Sequence, residues 1–468
     1  MTFSGYRDNR RQAKARITEV NDPNQAWMNQ QPHWVLLEAL LGGTYEMRAK
    51  HRKYLQQEPR ETDESYDNRL ARSCVAPLFA RLEKMLAGML TRKPVRLNDV
   101  ADVIREQLFD VDLLGNDLNI WTYETARRCI RYGHVGVLVD APSEGQGGRP
   151  YWVTYSPRDI IGWRTEKKEG REQLVQLRLA EKVVEPDGLY GEKEVEQIRL
   201  LTPGGFEIHR KDKDKSDWVQ VEEGTTSLSE IPFAVAYSNR VGMLESRPPM
   251  EDIAELNLKH YQISSDLDNM LHISAVPMLG FFGFPPSAEE VSAGPGEAIC
   301  FPAEGRAEYI EPGGKSFDAQ YQQIEQIEKQ INELGLASVL GQKLVGEAAE
   351  AKRIDRSQGD STMMLIAQQM QDLIDNCLGF HASYLGIESG SCYVNRDFLA
   401  GRLDPQEIGS LLQLYTAGTI SKETLLTQLS EGEVLGDEFD IEEELEATEA
   451  AGMIEMGGPA EEASPAEE

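Results

Sequence analysis

The side chains that most often perform chemistry are present in this chain but are not grouped for it. Seven histidines (His33, His51, His134, His209, His260, His272, His381) include no HExxH pattern and no pair at ligand spacing. His260 and His272 share one helical segment but stand twelve residues apart, so structural roles are expected for both. Five cysteines (Cys74, Cys129, Cys300, Cys377, Cys392) contain no CxxC pair, which argues against a zinc ribbon and favours a reducing compartment. No GxSxG nucleophile elbow occurs. The nearest phosphate-loop candidate is Pro312-Gly313-Gly314-Lys315-Ser316. A phosphate loop needs a glycine five residues before Gly314, where Tyr309 stands, so Lys315-Ser316 reads as a turn and a helix N-cap. Carboxylates are abundant, and counting alone leaves a metal-dependent enzyme open. The acidic clusters at 431–449, however, lie in polar sequence with no apolar frame around them. An enzyme is the weaker class, and no catalytic, cofactor or metal site is expected.

The charge distribution bounds the partners. The chain has 468 residues with 48 Lys+Arg against 79 Asp+Glu, a formal charge of −31. Residues 1–247 are nearly neutral at −1, residues 248–346 carry −10, and residues 347–430 carry −5. From 431 to 468 there are 15 acids and no Lys or Arg. Phosphate binding needs a basic footprint, so a tight nucleic-acid binder is excluded. Apolar content of 40% and aromatic content of 7% are those of a folded chain. The basic, polar start (MTFSGYRDNRRQAKAR) has no apolar h-region behind it. The longest apolar run, 273–286, is interrupted by Pro277, Gly280, Gly283, Pro285 and Pro286 and falls short of the roughly 20 residues a span requires. A soluble, cytosolic-type chain without membrane contact is expected.

Residues 34–140 read mostly helical. WVLLEALL is stopped by Gly42-Gly43, and a helix from Tyr66 to Arg92, kinked at Pro77, carries Leu78, Leu82, Met85, Leu86 and Met89 at helical spacing for core packing. From Val135 to about 240 the pattern becomes strand-like (HVGVLVD, YWVTYSP, LVQLRLAEKVV, EVEQIRLL, FEIHR), an antiparallel β region with KDKDKSD (211–217) as a hairpin tip or solvated loop.

A long helix is expected from Pro248, with Glu251 and Asp252 opposing the helix dipole. Its apolar residues Ile253, Leu256, Ile263, Leu267 and Met270, together with His260, form one narrow stripe. A Gly/Pro-rich, strand-like segment with Phe281, Phe282 and Phe284 follows. A second striped helix (Phe317, Tyr321, Ile324, Ile327, Ile331, Leu334) has Gln-rich remaining faces (Gln320, Gln322, Gln323, Gln326, Gln330) and is expected to end at Gly335. Two narrow-striped helices around a 40-residue insertion predict a helical hairpin with a small domain at its tip, because a narrow seam suits packing between neighbouring helices. A Gly-punctuated loop (336–353), a third long helix from about Asp355 to Leu385, a short strand at 391–398 and a helical pair from Asp404-Pro405, with Ser421 as an N-cap, complete the pattern. The last 20 or so residues are expected to be disordered.

This order of elements, with specific motifs, resembles the tailed-bacteriophage portal protein over roughly Trp34 to Asp440. Gly42-Gly43-Thr44, Met47-Arg48, Tyr54-Leu55, Glu64-Ser65-Tyr66 and Arg69-Leu70 are similar to the opening of a portal subfamily of some short-tailed phages, with Gln56 where a proline is expected. Pro248-Pro249-Met250 with Asp252, Ala254 and Asn257 to Tyr261 resembles the first stem helix. Glu347-Ala348-Ala349-Glu350-Ala351 with Arg353-Ile354-Asp355 resembles an ETA-x-A-x-R-I-D segment, from which Ala348 and Glu350 depart mildly.

The resemblance implies an α+β portal fold, a homo-oligomeric ring, usually of twelve subunits, at one capsid vertex of the virion, assembled in the host cytoplasm. Double-stranded DNA is packaged and ejected along its axis, and terminase, a head–tail adaptor and the major capsid protein are the implied partners. Residues 1–247 and 357–401 would form the wing, 248–275 and 316–335 the stem helices, 276–315 the clip, 336–356 the channel loop, 402–440 the crown and 441–468 an acidic tail. The seam residues Ile253, Leu256, Ile263, Leu267, Ile324, Ile327 and Ile331 would pack subunits. Gln322, Gln326, Lys329, Gln342 and Lys343 would line the channel, with Lys343 either a phosphate contact or a solvated loop lysine. Phe281, Phe282 and Phe284 would pack the clip or dock a partner. A different head–tail component (adaptor or tail tube) and a metal-dependent enzyme remain as alternatives.

Overall fold

Asn24 opens the first helix by accepting the Trp27 amide on its side-chain oxygen at 2.8 Å, which satisfies one donor that a helix start leaves free. In the computed structural model this helix, α1 (Gln25–Leu41), ends at Gly42, and α2 (Gly43–Ala49) follows. The structure describes residues 19–141, 148–168, 170–211, 217–275, 278–282, 306–310, 315–340, 349–396, 398, 405–431, 434, 435, 441, 444 and 445.

The single kinked helix expected over 66–92 is instead two, α3 (Asp63–Arg72) and α4 (Leu78–Leu90). Pro77 disfavours helical backbone at Ala76. The intervening turn also finds partners outside the helix: the Arg48 guanidinium donates to the Ser73 carbonyl at 2.9 and 2.7 Å, and Thr44 Oγ1 accepts the Val75 amide at 3.2 Å. Next come β1 (Arg96–Asn98), α5 (Asp102–Gln107) and α6 (Leu118–Tyr132).

The β region is antiparallel, as the alternation predicts. β2 (His134–Asp140) lies between β3 (Tyr151–Tyr155) and β9 (Phe233–Tyr237). β4 (Ile160–Lys168), β5 (Arg171–Asp187), β6 (Gly191–Thr202), β7 (Gly205–Lys211) and β8 (Trp218–Thr225) form a five-stranded meander. KDKDKSD overlaps the β7–β8 connection, with 212–216 outside the described residues. Leu138 and Phe233 from the first sheet pack with Leu177, Leu179 and Leu201 from the second in one apolar core. β10 (Arg240–Gly242) and β11 (Glu245–Ser246) pair just before the long helices.

Those helices are α7 (Glu251–Ser274) and α8 (Lys315–Leu340), separated by the antiparallel pair β12 (Met278–Phe282) and β13 (Arg306–Ile310). α8 does not stop at Gly335. The glycine is a buried close-approach residue, and a Cβ there would sit 2.3 Å from Leu82 Cδ2 of α4. The expected loop at 336–353 is correspondingly shorter: α8 includes 336–340, α9 (Ala349–Leu385) begins before Asp355, and 341–348 lie outside the described residues. α9 has 37 residues, about 55 Å at 1.5 Å per residue. It buries Met363, Ile366, Met370, Leu373, Ile374, Cys377 and Leu378. β14 (Ser391–Tyr393) then pairs with β1.

Contacts divide the chain at Arg396. The second unit contains α10 (Pro405–Thr416) and α11 (Lys422–Glu431), and Ser421 Oγ accepts the Thr424 amide at 3.1 Å as expected for an N-cap. The architecture is mixed α+β, and no helix among the described residues is long and apolar enough to cross a membrane.

Candidate functional site

The candidate site is the helix pair α7/α8 and the joint that anchors it. Two observations set the direction of the pair. His260 Nε2 of α7 meets Glu328 Oε1 of α8 at 3.0 Å, while Asp266, Asn269 and Met270 share a cavity wall with Gln320. Higher numbers on α7 meet lower numbers on α8, so the helices are antiparallel, and β12/β13 lies at the turn between them.

The seven seam residues divide in two. Ile253, Leu267, Ile327 and Ile331 are buried within the single chain, and Leu256, Ile263 and Ile324 are half-buried. The buried face of α7 is wider than the stripe read from sequence, because Ala254, Asn257, Tyr261 and Ser265 are buried too. These residues sit on the joint. Asn257 Oδ1 accepts the Phe79 amide at 3.0 Å, and its Nδ2 donates to the Ala76 carbonyl at 3.0 Å. Pro77, the N-cap position of α4, has no side chain to do this, so α7 supplies the cap from a distance. The hydroxyls of Tyr261 and Ser73 lie 2.9 Å apart, and burial raises the phenol's pKa.

An arginine fixes the far end of the joint. Arg69 is 3% exposed and donates to both carboxylate oxygens of Glu61 (2.8 Å each), to the Gln56 carbonyl (2.6 Å) and to Asp266 of α7 (3.3 Å). The hydrogen bond from Arg69 holds the Glu61 carboxyl below its usual range. Asp266 moves the other way. Burial raises its pKa, Arg69 opposes that, and Glu58 and Glu61 add to it. Arg72 donates to Asn269 at 2.8 Å and Gln262 to the Tyr54 carbonyl at 2.8 Å. The polar motif residues Thr44, Arg48, Arg69, Asn257 and Tyr261 therefore all converge on one structural joint. Motif resemblance singles out these residues but does not bring them together. The available signal was polar Asn257 and Tyr261 in line with Ala254 at helical spacing.

The outer face of α8 matches the Gln-rich reading. Asp318, Tyr321, Gln322, Gln323, Glu325, Gln326, Lys329 and Gln330 are all exposed. Lys329 Nζ lies 3.7 Å from Glu333 Oε1. Phe281 and Phe282 are on β12, whereas Phe284, Gln342 and Lys343 lie outside the described residues. Among the described residues no group of three or more His, Cys, Asp or Glu side chains could hold a metal ion. His134 and His381 are buried, which lowers their pKa values to about 3 and about 4, and both have hydrogen-bond partners (Ser246 at 2.6 Å; Trp152 at 3.2 Å and Gln107 at 2.6 Å).

A family model described as a domain of unknown function (DUF4055) matches residues 249–385, which span α7 to α9 and less than a third of the chain. No curated protein matches the sequence. Among solved structures the chain is similar to a subunit of the neck of an empty GTA particle computed with C6 symmetry. Identity there is 12%, with 80% of this chain and 94% of that one covered, and the TM-score is 0.41. It is also similar to a subunit of the neck of a native GTA particle computed with C12 symmetry, at 12% identity, 82% and 98% coverage and a TM-score of 0.38. A third likeness is to a chain of the virion of a native gene transfer agent particle, at 10% identity, 82% and 98% coverage and a TM-score of 0.42. Scores this low do not establish a shared fold.

Proposed function

We propose that this protein is a non-enzymatic portal subunit of a tailed phage or phage-like particle, forming a ring through which double-stranded DNA passes. The observation that carries the reading is the outer face of α8. Between 318 and 330 it exposes four glutamines, two acids and one lysine, and that lysine stands beside an acid one turn on. Each neutralised phosphate adds affinity, so a wall along which DNA must slide needs few free cations. Glutamine and carboxylate side chains keep such a wall hydrated without holding phosphate. The half-buried Leu256, Ile263 and Ile324 are the positions left for a neighbouring subunit's helix, while Ile253, Leu267, Ile327 and Ile331 hold the pair together within one chain. Gln322, Gln326, Lys329, Gln342 and Lys343 would face the channel, and Phe281, Phe282 and Phe284 would serve the clip, where terminase or a head–tail adaptor docks. A virion location at a capsid vertex, beside the major capsid protein, follows from this role.

Electron microscopy of the purified chain tests the reading. Rings with a central opening wide enough for duplex DNA are expected, and monomers in every buffer would overturn it. A stacked tube with no wing would favour an adaptor or tail-tube role, and a divalent-dependent nuclease activity abolished by one Asp or Glu substitution would favour an enzyme. In packaging-competent particles, Lys343→Glu is expected to change packaged DNA length or retention with rings intact. Unchanged length and retention would remove Lys343 from the channel.

A further inference from the structure

We infer that the cavity bordered by α1, α2, α4 and α6 is a binding site for a phosphate-bearing anion. It measures about 550 Å³, and Lys50, Lys84, Arg127, Arg131 and Arg158 line it together with Tyr132 and the carboxylates Glu38 and Glu46. That is within the size range of small-molecule sites. All five cations belong to the nearly neutral 1–247 region.

The arginines are fixed in place by carboxylates. Glu83 is fully buried, and its Oε1 accepts from Arg131 Nε at 3.0 Å and from the second Arg131 nitrogen at 2.7 Å. Its Oε2 accepts from Arg127 at 3.4 Å, and Glu124, half exposed and outside the lining, accepts a further Arg127 N–H at 3.0 Å. A buried carboxylate is costly unless matched, and here the match locks two guanidinium groups one helical turn apart. Arg158 pairs with Glu38, which also accepts the Tyr132 hydroxyl at 3.1 Å. Lys50 and Lys84 are exposed, and neither has an ion pair among the described residues. Setting Glu38, Glu46, Glu83 and Glu124 against the five cations leaves one positive charge, so the concavity is net cationic. Fixed arginine forks beside two exposed ammonium groups are a combination suited to phosphate oxygens.

The same chemistry is offered by a free phosphorylated molecule and by a nucleic-acid backbone, so calorimetry at low salt should use inorganic tripolyphosphate and, separately, a short DNA duplex. Saturable binding of tripolyphosphate near one per chain is expected. It should weaken about tenfold in the double variant Lys50→Ala/Lys84→Ala and remain unchanged in Lys182→Ala. Both substituted lysines are exposed, so an unchanged thermal melt should accompany the loss. Binding of the duplex alone, still lost in the double variant, would identify the backbone as the source and leave the site standing. No binding of either probe, or equal binding in the double variant and the parent, would overturn the inference.

Discussion

Replacing Asn257 with Ala tests the joint most directly. The side chain is 1% exposed and holds two main-chain groups that flank the start of α4, the Phe79 amide and the Ala76 carbonyl, each at 3.0 Å. Loss of a helix cap costs about 0.5–2 kcal/mol, and a buried polar group left without a partner costs about 1–3 kcal/mol. The two estimates overlap for Phe79, so a total of about 2–4 kcal/mol is expected. Asn257→Asp is the harsher companion variant. It keeps the acceptor for Phe79 but removes the donor to Ala76 and places a carboxylate in a buried site, so it should be no milder than the alanine variant. Denaturant titration followed by helical circular dichroism measures the loss, and hydrogen exchange at the Phe79 amide locates it. A change below 0.5 kcal/mol by this order-of-magnitude scale, with unaltered exchange at Phe79, would refute the cap assignment.

Four further substitutions probe the pair and its anchor. Ile331→Asp puts a charge into a site that is 2% exposed within the chain and should destabilise the monomer itself by several kcal/mol in a denaturant melt. Ile324→Asp, at a half-buried position, should leave the monomer melt near normal and reduce ring formation by size-exclusion chromatography; normal rings would contradict its seam role. Alanine at Gly335 would ordinarily strengthen a helix by about 1 kcal/mol. Here its Cβ meets Leu82, so Gly335→Ala should instead destabilise, and a double-mutant cycle with Leu82→Ala should show coupling of about 1 kcal/mol or more.

Glu61 gives a pH test. Its folded-state pKa is depressed, so its pairing with Arg69 contributes stability above the ordinary carboxylate pKa that is lost as pH falls through the folded value. Glu61→Gln should therefore lower stability at neutral pH and flatten the acid limb of the stability curve. Asp266, whose pKa is raised, has the opposite sign, and Asp266→Asn should cost little or nothing at neutral pH; a loss as large as that of Glu61→Gln would refute the assignment.

Local structure was legible where one signal dominated. The strand alternation of 135–240 reads directly as antiparallel sheet because each face of a strand meets one environment. The helix pair and the exposed glutamines of α8 follow from periodicity in the same way. The extent of burial on α7 was not legible, because Asn257 and Tyr261 are polar residues whose burial depends on partners almost two hundred positions away, at Phe79, Ala76 and Ser73. Gly335 looked like a stop signal because glycine weakens an isolated helix, and only the proximity of Leu82 reveals it as a packing residue.

The pairing of β1 with β14 belongs to the same class. Gly390 has φ +68°, and a Cβ there would lie 2.6 Å from the Asp99 carbonyl oxygen, a contact between segments nearly three hundred residues apart. By itself the sequence determined the order of elements, the neutral N-terminal region and the acidic remainder, since these depend on composition and short-range periodicity. Tertiary structure alone decided which apolar and polar residues the chain uses for itself, because burial is set by what lies opposite a side chain and not by its neighbours in sequence.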